Sequence, residues 1–278
     1  MTAFICQTCG VQFAPVPGKS DEPPEGCSVC KDERQYVGRS GQKWTTTEDL
    51  LANGRRNVVT EVEPGLTTVN THPSFAIGQQ AHLIQTPGGN LLWESVSLCD
   101  AATVAEIRER GGVAAIAISH PHFYSAMVEW SRAFGGVPIW LHAADREWVM
   151  RPDPVIHFWE GDTAEPLPGT GLTLIRVGGH FPGATALLWP AGADGRGVLF
   201  SGDEPQVAAD TRWVSFLYSY PNMIPLSAAE VQQISRTLAG HQFDRIYGSW
   251  TNKVVASDGN GVVARSAARY VAHLRRPD

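Results

Sequence analysis

One stretch organises the whole chain: Val113-Ala-Ala-Ile-Ala-Ile-Ser-His-Pro-His-Phe-Tyr-Ser125. Its short apolar run is typical of a buried strand, and two histidines, His120 and His122, come at the end of that strand. In extended backbone, residues two apart project to the same side with origins about 6–7 Å apart, so two imidazoles can reach one ion. The stretch therefore predicts part of a metal site, although a histidine beside a strand is more commonly a hydrogen-bonded structural residue.

Two later segments offer further metal ligands at the ends of predicted strands. Gly178-Gly179-His180-Phe-Pro-Gly183 places a third histidine in a glycine-rich turn, and Phe200-Ser-Gly-Asp203 places a carboxylate directly after an apolar strand. Imidazole nitrogen and carboxylate oxygen both bind divalent transition metals in proteins. We therefore expect His180 and Asp203 to join the two histidines of the first stretch.

The order of these motifs resembles the metallo-β-lactamase superfamily. His-x-His, Gly-His-x-Pro-Gly and Phe-Ser-Gly-Asp occur in that family's order, and from about residue 75 to the C-terminus the predicted elements are similar to its fold. The resemblance implies an α/β protein, a four-layer αβ/βα sandwich with its metal-binding loops along one edge. Glu94, which ends a predicted hairpin over residues 75–94, stands where many members of the family carry an aspartate.

The chain departs from the family pattern at the positions of a second metal ion. Tyr124 and Ser125 stand where the family's first motif usually has an aspartate and a further histidine, and Ser249 stands where another histidine often follows the last core strand. The first metal position keeps all three histidines, but the second keeps only Asp203. One carboxylate provides too few protein ligands to hold a divalent ion tightly, so we expect one ion or none in the cleft.

Four of the five cysteines form a separate motif near the N-terminus. They make two Cys-x2-Cys pairs with the spacing of a four-thiolate zinc site: Cys6, Cys9, Cys27 and Cys30. We predict a zinc ribbon over residues 1–45, which have too little apolar area to fold without the ion, and a main domain over residues 46–278. Rubredoxin-like iron in the same four sulfurs, and free or redox-active thiols, are the alternatives.

Charge and hydropathy exclude several classes of partner. The formal net charge is −6, and five basic residues between positions 1 and 45 are balanced by five acidic ones, so nucleic-acid binding is not expected. We instead expect the ribbon to pack against the main domain or to contact another protein. No apolar run approaches the roughly 20 residues that cross a bilayer, and the N-terminus lacks a signal-peptide pattern, so we expect a cytoplasmic protein.

The remaining pattern predicts further helices and a second sheet. Capping residues predict helices over residues 101–110 and from Ser227 to residue 240. One strand, near residues 57–62, is expected before the hairpin, and a run of strands from residue 155 predicts the second sheet. The aromatic segment 213–225 either roofs the cleft and selects an apolar substrate or merely covers a helix.

The three histidines and Asp203 lead to three hypotheses for function. The first is a hydrolase of a small molecule, in which one divalent ion, zinc rather than iron, lowers the pKa of a water that Asp203 orients and deprotonates. Tyr124 and Ser249 would then hydrogen-bond the substrate from the space of the absent ligands. The second is an oxygenase with ferrous iron on two histidines and Asp203, similar to the persulfide dioxygenases of the superfamily. The third is a non-catalytic binding or scaffold protein.

Overall fold

The structure is a computed structural model that describes residues 2–15, 18 and 21–275. Lys19, one of the five basic residues counted for the ribbon, lies outside the described residues. The N-terminal unit, by which we mean the described residues up to position 45, contains a two-stranded antiparallel sheet of β1 (Ile5–Cys6) and β2 (Trp44–Thr45) and a short helix α1 (Ser28–Lys31). Helix α2 (Thr47–Ala52) follows this unit directly.

Seven strands form the first sheet, in the order of the chain. They are β3 (Arg56–Glu63), β4 (Leu66–His72), β5 (Ala81–Ile84), β6 (Leu91–Trp93), β7 (Ala115–Ala117), β8 (Ile139–His142) and β9 (Ile156–Trp159). The pairs from β3 to β6 are antiparallel and those from β6 to β9 are parallel. Because parallel neighbours need a crossover, α3 (Ala101–Glu109) lies between β6 and β7, and α4 (Met127–Ala133) between β7 and β8.

Two predictions for this sheet are wrong. The sequence pattern predicts a single strand, near residues 57–62, before the hairpin of residues 75–94; that strand is present as β3, but its antiparallel partner β4 is missed. Strand β4 is rich in threonine and asparagine, so its hydrophobic alternation is weak. The pattern also assigns β9 to the second sheet, whereas β9 pairs in parallel with β8 at the edge of the first. Periodicity identifies a strand but does not identify its neighbour.

Six strands form the second sheet, in the order β10-β11-β12-β13-β18-β19. They are β10 (Thr163–Ala164), β11 (Thr173–Arg176), β12 (Thr185–Trp189), β13 (Val198–Gly202), β18 (Arg245–Gly248) and β19 (Val254–Val255). A four-residue turn of helix, α5 (Gly192–Gly195), joins β12 to β13. Two small hairpins follow β13, formed by β14 (Gln206–Val207) with β15 (Val214–Ser215) and by β16 (Leu217–Ser219) with β17 (Ile224–Pro225).

Three large apolar clusters join these elements into four layers. Successive residues of a strand point to opposite faces, so Leu83 packs with the helix-side cluster while its neighbour Ile84 packs between the sheets with Trp93 and Phe200. The outer face of the second sheet is covered by α6 (Ala228–Ala239) and α7 (Gly259–Leu274), through residues such as Ile234. The α/β fold predicted from the sequence, a four-layer αβ/βα sandwich, is confirmed.

The helix starts follow the predicted capping patterns. Asp100 accepts a hydrogen bond from the backbone N–H of Thr103, and Ser227 and Glu230 form a reciprocal capping box at the start of α6. Both predicted caps are confirmed. Within residues 2–15, 18 and 21–275, every helix is too short or too polar to cross a bilayer.

Candidate metal centre

His120 and His122 lie in the loop that leaves β7. His120 has extended backbone, with φ −165° and ψ 170°, and Pro121 then begins a one-turn 3-10 helix (Pro121–Phe123) that contains His122. The two imidazole centroids are 5.1 Å apart, with 78° between the rings. The side chains therefore converge as predicted, but they converge through a tight turn and not along an extended strand.

The loop between β11 and β12 carries His180. The two glycines before it have positive φ, of 69° and 79°. A Cβ on Gly179 would lie 2.8 Å from Leu226 Cδ1 and 2.9 Å from Ile234 Cδ1, so the positive φ and this close approach to two buried side chains both favour glycine. The turn directs the imidazole towards the first two histidines, whose ring centroids are 5.0 Å and 4.9 Å away.

Asp203 completes the group from the end of β13, in the second sheet. Its Oδ1 lies 3.6 Å from His120 Nε2, and its Oδ2 lies 3.9 Å from His180 Nε2. His180 Nε2 also lies 3.1 Å from His122 Nδ1. One ligand atom from each of the four residues lies within 4.8 Å of the others. The structure thus brings together all four cleft residues that the sequence singled out, from both sheets.

Several atoms of this group are buried without a hydrogen-bond partner. His120 Nε2, His122 Nε2 and Asp203 Oδ1 have none among the described residues, and the four residues are at most 4% exposed. A buried polar group without a partner costs about 1–3 kcal/mol, and more when it is charged. A cation bound between these atoms would satisfy them, and imidazole nitrogen with carboxylate oxygen is a donor set for zinc or ferrous iron. The residues therefore fit a divalent metal ion.

Hydrogen bonds orient two of the imidazoles. A carbonyl oxygen can only accept, so His180 Nδ1 donates to the backbone oxygen of Tyr218, at 2.7 Å, and keeps its lone pair on Nε2. His120 Nδ1 lies 2.9 Å from Ser119 Oγ. The second nitrogen of each ring is thereby directed towards Asp203.

Burial determines the protonation of the group. Burial lowers the pKa of His120 and His122 well below its ordinary value, with smaller contributions from His180 and Arg34, and it lowers the pKa of His180 to about 4. The rings are therefore neutral near pH 7, which is the form that binds metal, and their contacts with Asp203 are not ion pairs. Burial also raises the pKa of Asp203 to about 8, and a nearby divalent cation would favour the ionised carboxylate instead.

Tyr124, Ser125 and Ser249 occupy the positions where the family resemblance implies further ligands. Tyr124 packs in the apolar cluster between the first sheet and its helices. Ser125 Oγ accepts a hydrogen bond from Gln79 Nε2 at 2.7 Å, whereas Ser249 Oγ is buried without a partner among the described residues. In the described part of the chain, no second set of histidine, cysteine or carboxylate ligands adjoins the first. Contact of Tyr124 or Ser249 with a substrate stays a prediction.

Glu94 is a further buried carboxyl beside the group. Its φ is 67°, its Oε2 accepts from the backbone N–H of Ser119 at 3.2 Å, and its Oε1 has no partner among the described residues. Burial raises the pKa of Glu94 well above its ordinary range, and the charge of Asp203 raises it further. Since Ser119 precedes His120 and contacts its ring, Glu94 holds the segment that carries the first ligand.

The four cysteines of the N-terminal unit form the second group of possible ligands. Their sulfurs lie within 4.8 Å of one another, and the Cys6–Cys30 and Cys9–Cys27 distances are both 3.6 Å, far beyond a disulfide bond. Gln42 Nε2 donates to Cys6 Sγ at 3.2 Å, which favours the thiolate. Burial raises the pKa of Cys9 well above its ordinary value, so a cation is needed to keep all four sulfurs ionised together. The arrangement fits one tetrahedral ion.

The N-terminal unit packs against the main body beside the cleft. Gly10 has φ 83°, and a Cβ there would lie 2.5 Å from Ser97 Oγ, whose hydroxyl donates to the Gly10 carbonyl at 2.8 Å. Arg34 is 8% exposed, and its guanidinium carbon lies 3.9 Å from the ring centroid of Phe181. No sequence pattern indicates that Arg34 contacts Phe181, because the two residues come from distant parts of the chain.

The aromatic segment 213–225 fits both sequence hypotheses. Tyr220 donates its hydroxyl hydrogen to the backbone oxygen of Asp203 at 2.5 Å, and its ring centroid is 5.7 Å from that of His180, so one part covers the ligands. Phe216, in the same segment, packs 5.7 Å from Tyr270 of α7. The segment therefore covers the candidate metal centre with one part and packs on α7 with another.

A cavity of about 760 Å³ lies away from the candidate metal centre. It is bounded by β15 and the last turns of α7, where the guanidinium carbon of Arg269 lies 4.2 Å from the ring centroid of Trp213. None of the four cleft residues lines this cavity. Its volume therefore does not describe the space for a substrate at the metal centre.

Comparison with known proteins identifies a related sequence and solved structures with a similar fold. No protein-family model matches the chain. The chain is 48% identical over 275 residues to the uncharacterized protein YmaE of Bacillus subtilis (strain 168), a match that covers 99% of this chain and 97% of that protein. The match therefore extends over the N-terminal unit as well as the sandwich.

Solved structures of metallo-β-lactamases share the fold. The DIM-1 metallo-β-lactamase has a TM-score of 0.59 at 11% identity, covering 78% of this chain and 98% of its own. TMB-1 has a TM-score of 0.60 at 12% identity, covering 79% of this chain and 99% of its own. The resemblance seen in the sequence is thus confirmed at the level of the fold.

Proposed function

The chain belongs to the same family as the Bacillus subtilis protein YmaE, and we propose that it is a hydrolase of a small molecule with one metal ion in its cleft. The observation that carries the proposal is the convergence of four buried side chains, His120, His122, His180 and Asp203, each with one possible ligand atom within 4.8 Å of the others. Three of these residues also carry a buried atom without a partner among the described residues. The metallo-β-lactamase fold supports it, because the ligands lie in the strand-end loops along one edge of the sandwich.

The proposed chemistry divides between the ion and the chain. A divalent ion in the cleft supplies a Lewis acid that polarises a carbonyl or phosphoryl oxygen and lowers the pKa of water towards neutrality. The three imidazoles hold the ion, since burial keeps them neutral. Asp203 orients the attacking water and accepts its proton. Phe181, which packs against all three imidazoles, excludes bulk water from their inner side.

We propose zinc at both groups of ligands. Zinc takes four thiolates in structural sites and histidine with carboxylate in catalytic ones, which matches the two donor sets. The thiol group would stabilise residues 1–45 as a ribbon, and residues 46–278 would form the catalytic domain. Free thiols in this array suit a reducing compartment, so a cytoplasmic location is part of the proposal.

A non-catalytic binding or scaffold role is the second candidate. It is favoured by the burial of all four cleft residues beneath the N-terminal unit and the segment 213–225. A covered site could hold an ion for stability without admitting a substrate. The oxygenase hypothesis ranks below both, because ferrous oxygenases use two histidines and one carboxylate, whereas this group adds a third imidazole.

Hydrolysis of esters, thioesters, lactones and amides by the zinc-loaded protein tests the proposal. Turnover that chelation removes, that zinc restores, and that His180→Ala and Asp203→Asn abolish is the expected result. The variant Leu274→Ala, on the exposed end of α7, is the matched control and keeps its turnover. A protein that retains the cleft ion but hydrolyses none of these classes would support the second candidate instead. Oxygen uptake by the iron-loaded protein with a thiol-derived substrate would support the oxygenase.

A further inference from the structure

We infer that the N-terminal unit completes the candidate metal centre, with Arg34 as a positioning residue for the loop of His180. The inference rests on the proposed function, since it concerns how the cleft holds its ion. Helix α1 ends at Lys31, one residue after Cys30, which is the last of the four thiols. Arg34 lies three residues beyond the end of this helix. A filled thiol site would therefore fix the point from which Arg34 reaches the cleft.

Asp32 holds the guanidinium of Arg34 in one orientation. Arg34 Nε donates to Asp32 Oδ1 at 2.6 Å, and Arg34 Nη2 donates to Oδ2 at 3.1 Å. Such a bidentate pair fixes the plane of the guanidinium as well as its position. Because the carboxylate offsets the positive charge, Arg34 can lie near a bound cation without strong repulsion.

The guanidinium connects to the ligands through Phe181. Its carbon lies 3.9 Å from the Phe181 centroid, and Nη1 donates to the backbone oxygen of His180 at 3.4 Å. Phe181 packs against the three imidazoles, with centroid distances of 5.6 Å to His120, 4.9 Å to His122 and 5.1 Å to His180. Removal of Arg34 would therefore take away the cationic neighbour that Trp148 shares with Phe181, and would loosen the ring on which all three imidazoles pack.

The same segment also holds the opposite side of His180. Tyr218 accepts the Nδ1–H of His180 through its carbonyl, and its hydroxyl donates to Glu33 Oε1 at 2.6 Å. Ser219 Oγ donates to the backbone oxygen of Arg34 at 3.1 Å. Residues 33 and 34 thus contact both the loop that carries His180 and the strand that orients it, so displacement of the N-terminal unit would loosen the ligand from two directions.

Cobalt(II) serves as the probe for the affinity of the cleft. The visible spectrum separates a nitrogen and oxygen site from a thiolate site, so competition with a chelator measures the cleft alone. We expect Arg34→Ala to weaken cleft binding at least about tenfold, since removal of an outer partner of a metal ligand typically costs 10–100-fold. Arg34→Lys is expected to recover little of this loss, because lysine keeps the charge but not the planar fork.

Two further variants complete the test. Arg39→Ala removes an exposed arginine of the same unit and is expected to bind cobalt in the cleft as the wild type does. Cys9→Ser removes a thiol ligand, and we expect the cleft affinity to fall by a factor similar to that of Arg34→Ala, with the sandwich still folded by circular dichroism. Cleft affinity that is equal in the wild type, Arg34→Ala and Cys9→Ser would overturn the inference and leave the proposed function standing.

A different result separates failure of the proposed function. If the wild type binds cobalt only through its thiols, the proposal of a hydrolase with a metal ion in the cleft is contradicted. Nitrogen NMR of the histidine rings then tests the role of Arg34 without a metal ion. A His180 Nδ1–H that exchanges slowly in the wild type and in Arg39→Ala, but rapidly in Arg34→Ala, supports the positioning role. The same slow exchange in all three proteins would contradict it.

Discussion

His180 and Tyr218 are joined by a hydrogen bond of 2.7 Å from the imidazole Nδ1 to the backbone carbonyl oxygen. The bond links the loop after β11 to strand β16, and it leaves His180 Nε2 facing His122 Nδ1 at 3.1 Å. A ligand that a backbone group orients is in place before an ion binds.

The glycine pair before His180 gives the first prediction. Both residues have positive φ, so alanine at either position strains the backbone by about 1–2 kcal/mol. At Gly179 the new Cβ also meets Leu226 and Ile234, whereas at Gly178 it meets nothing within 4 Å. Gly179→Ala should therefore lower the free energy of unfolding by at least about 1 kcal/mol more than Gly178→Ala does. It should also lower the affinity of the cleft for its ion. Equal losses in urea unfolding would show that α6 does not constrain this turn.

Glu94 gives the second prediction, through a pair of substitutions. Burial raises the pKa of Glu94 well above its ordinary range, which favours the neutral carboxyl, and glutamine is a close mimic of that form. Glu94→Gln should change the free energy of unfolding by less than about 1 kcal/mol, since it retains an acceptor for the Ser119 N–H. Glu94→Ala should cost about 2–4 kcal/mol, because it removes that acceptor and leaves a cavity. If glutamine proved as damaging as alanine, a charged carboxylate would be required at this position.

The pH dependence of stability gives the third prediction. In the ion-free folded protein burial raises the pKa of Asp203 to about 8, while the unfolded carboxyl ionises near its ordinary value. Between these two pKa values the folded state binds more protons than the unfolded state. The free energy of unfolding therefore falls as the pH rises from one pKa to the other. From about pH 6.5 to 8 the wild type should lose about 2 kcal/mol relative to Asp203→Asn, because the titration of the unfolded histidines is common to both proteins. Parallel curves for the two proteins after chelation would contradict the assigned pKa.

The thiol group gives the fourth prediction, through Gln42. Its Nε2 donates to Cys6 Sγ at 3.2 Å, and its Oε1 accepts from the Cys27 N–H at 3.1 Å. Gln42→Ala should therefore lower the affinity of the four thiolates for their ion about 10–100-fold. It should also speed the alkylation of the thiols. Gln7→Ala is the matched control, because the side-chain Nε2 of Gln7 donates to the Trp44 carbonyl and not to a sulfur. Identical alkylation rates in the two variants would show that Gln42 does not support the thiolates.

The parts of the site that were predictable are the parts with a local signal. His120, His180 and Asp203 each follow a short apolar or glycine-rich run, so the sequence indicates both the residue and its place at a strand end. The cysteine pairs likewise carry their spacing within the chain. The 3-10 turn that holds His122 had a signal as well, because Pro121 has the fixed φ of a first helical position.

The parts that were not predictable depend on how distant segments pack. Arg34 and Phe181 are far apart in sequence; Arg34 belongs to no metal motif, and Phe181 occupies the variable position of Gly-His-x-Pro-Gly. Strand β9 has the pattern of any short, partly buried strand, and only its pairing beside β8 assigns it to the first sheet. Such relationships are fixed by tertiary contacts, which leave no periodicity in the sequence.

Anomalous scattering from a crystal of the zinc-loaded protein, measured on both sides of the zinc absorption edge, tests the central claim most directly. The account predicts one peak among the sulfurs of the four cysteines and a second within bonding distance of His120, His122 and His180, beside the carboxylate of Asp203. A single peak at the cysteines, with the three imidazoles hydrogen-bonded to one another or to the protein, would contradict it.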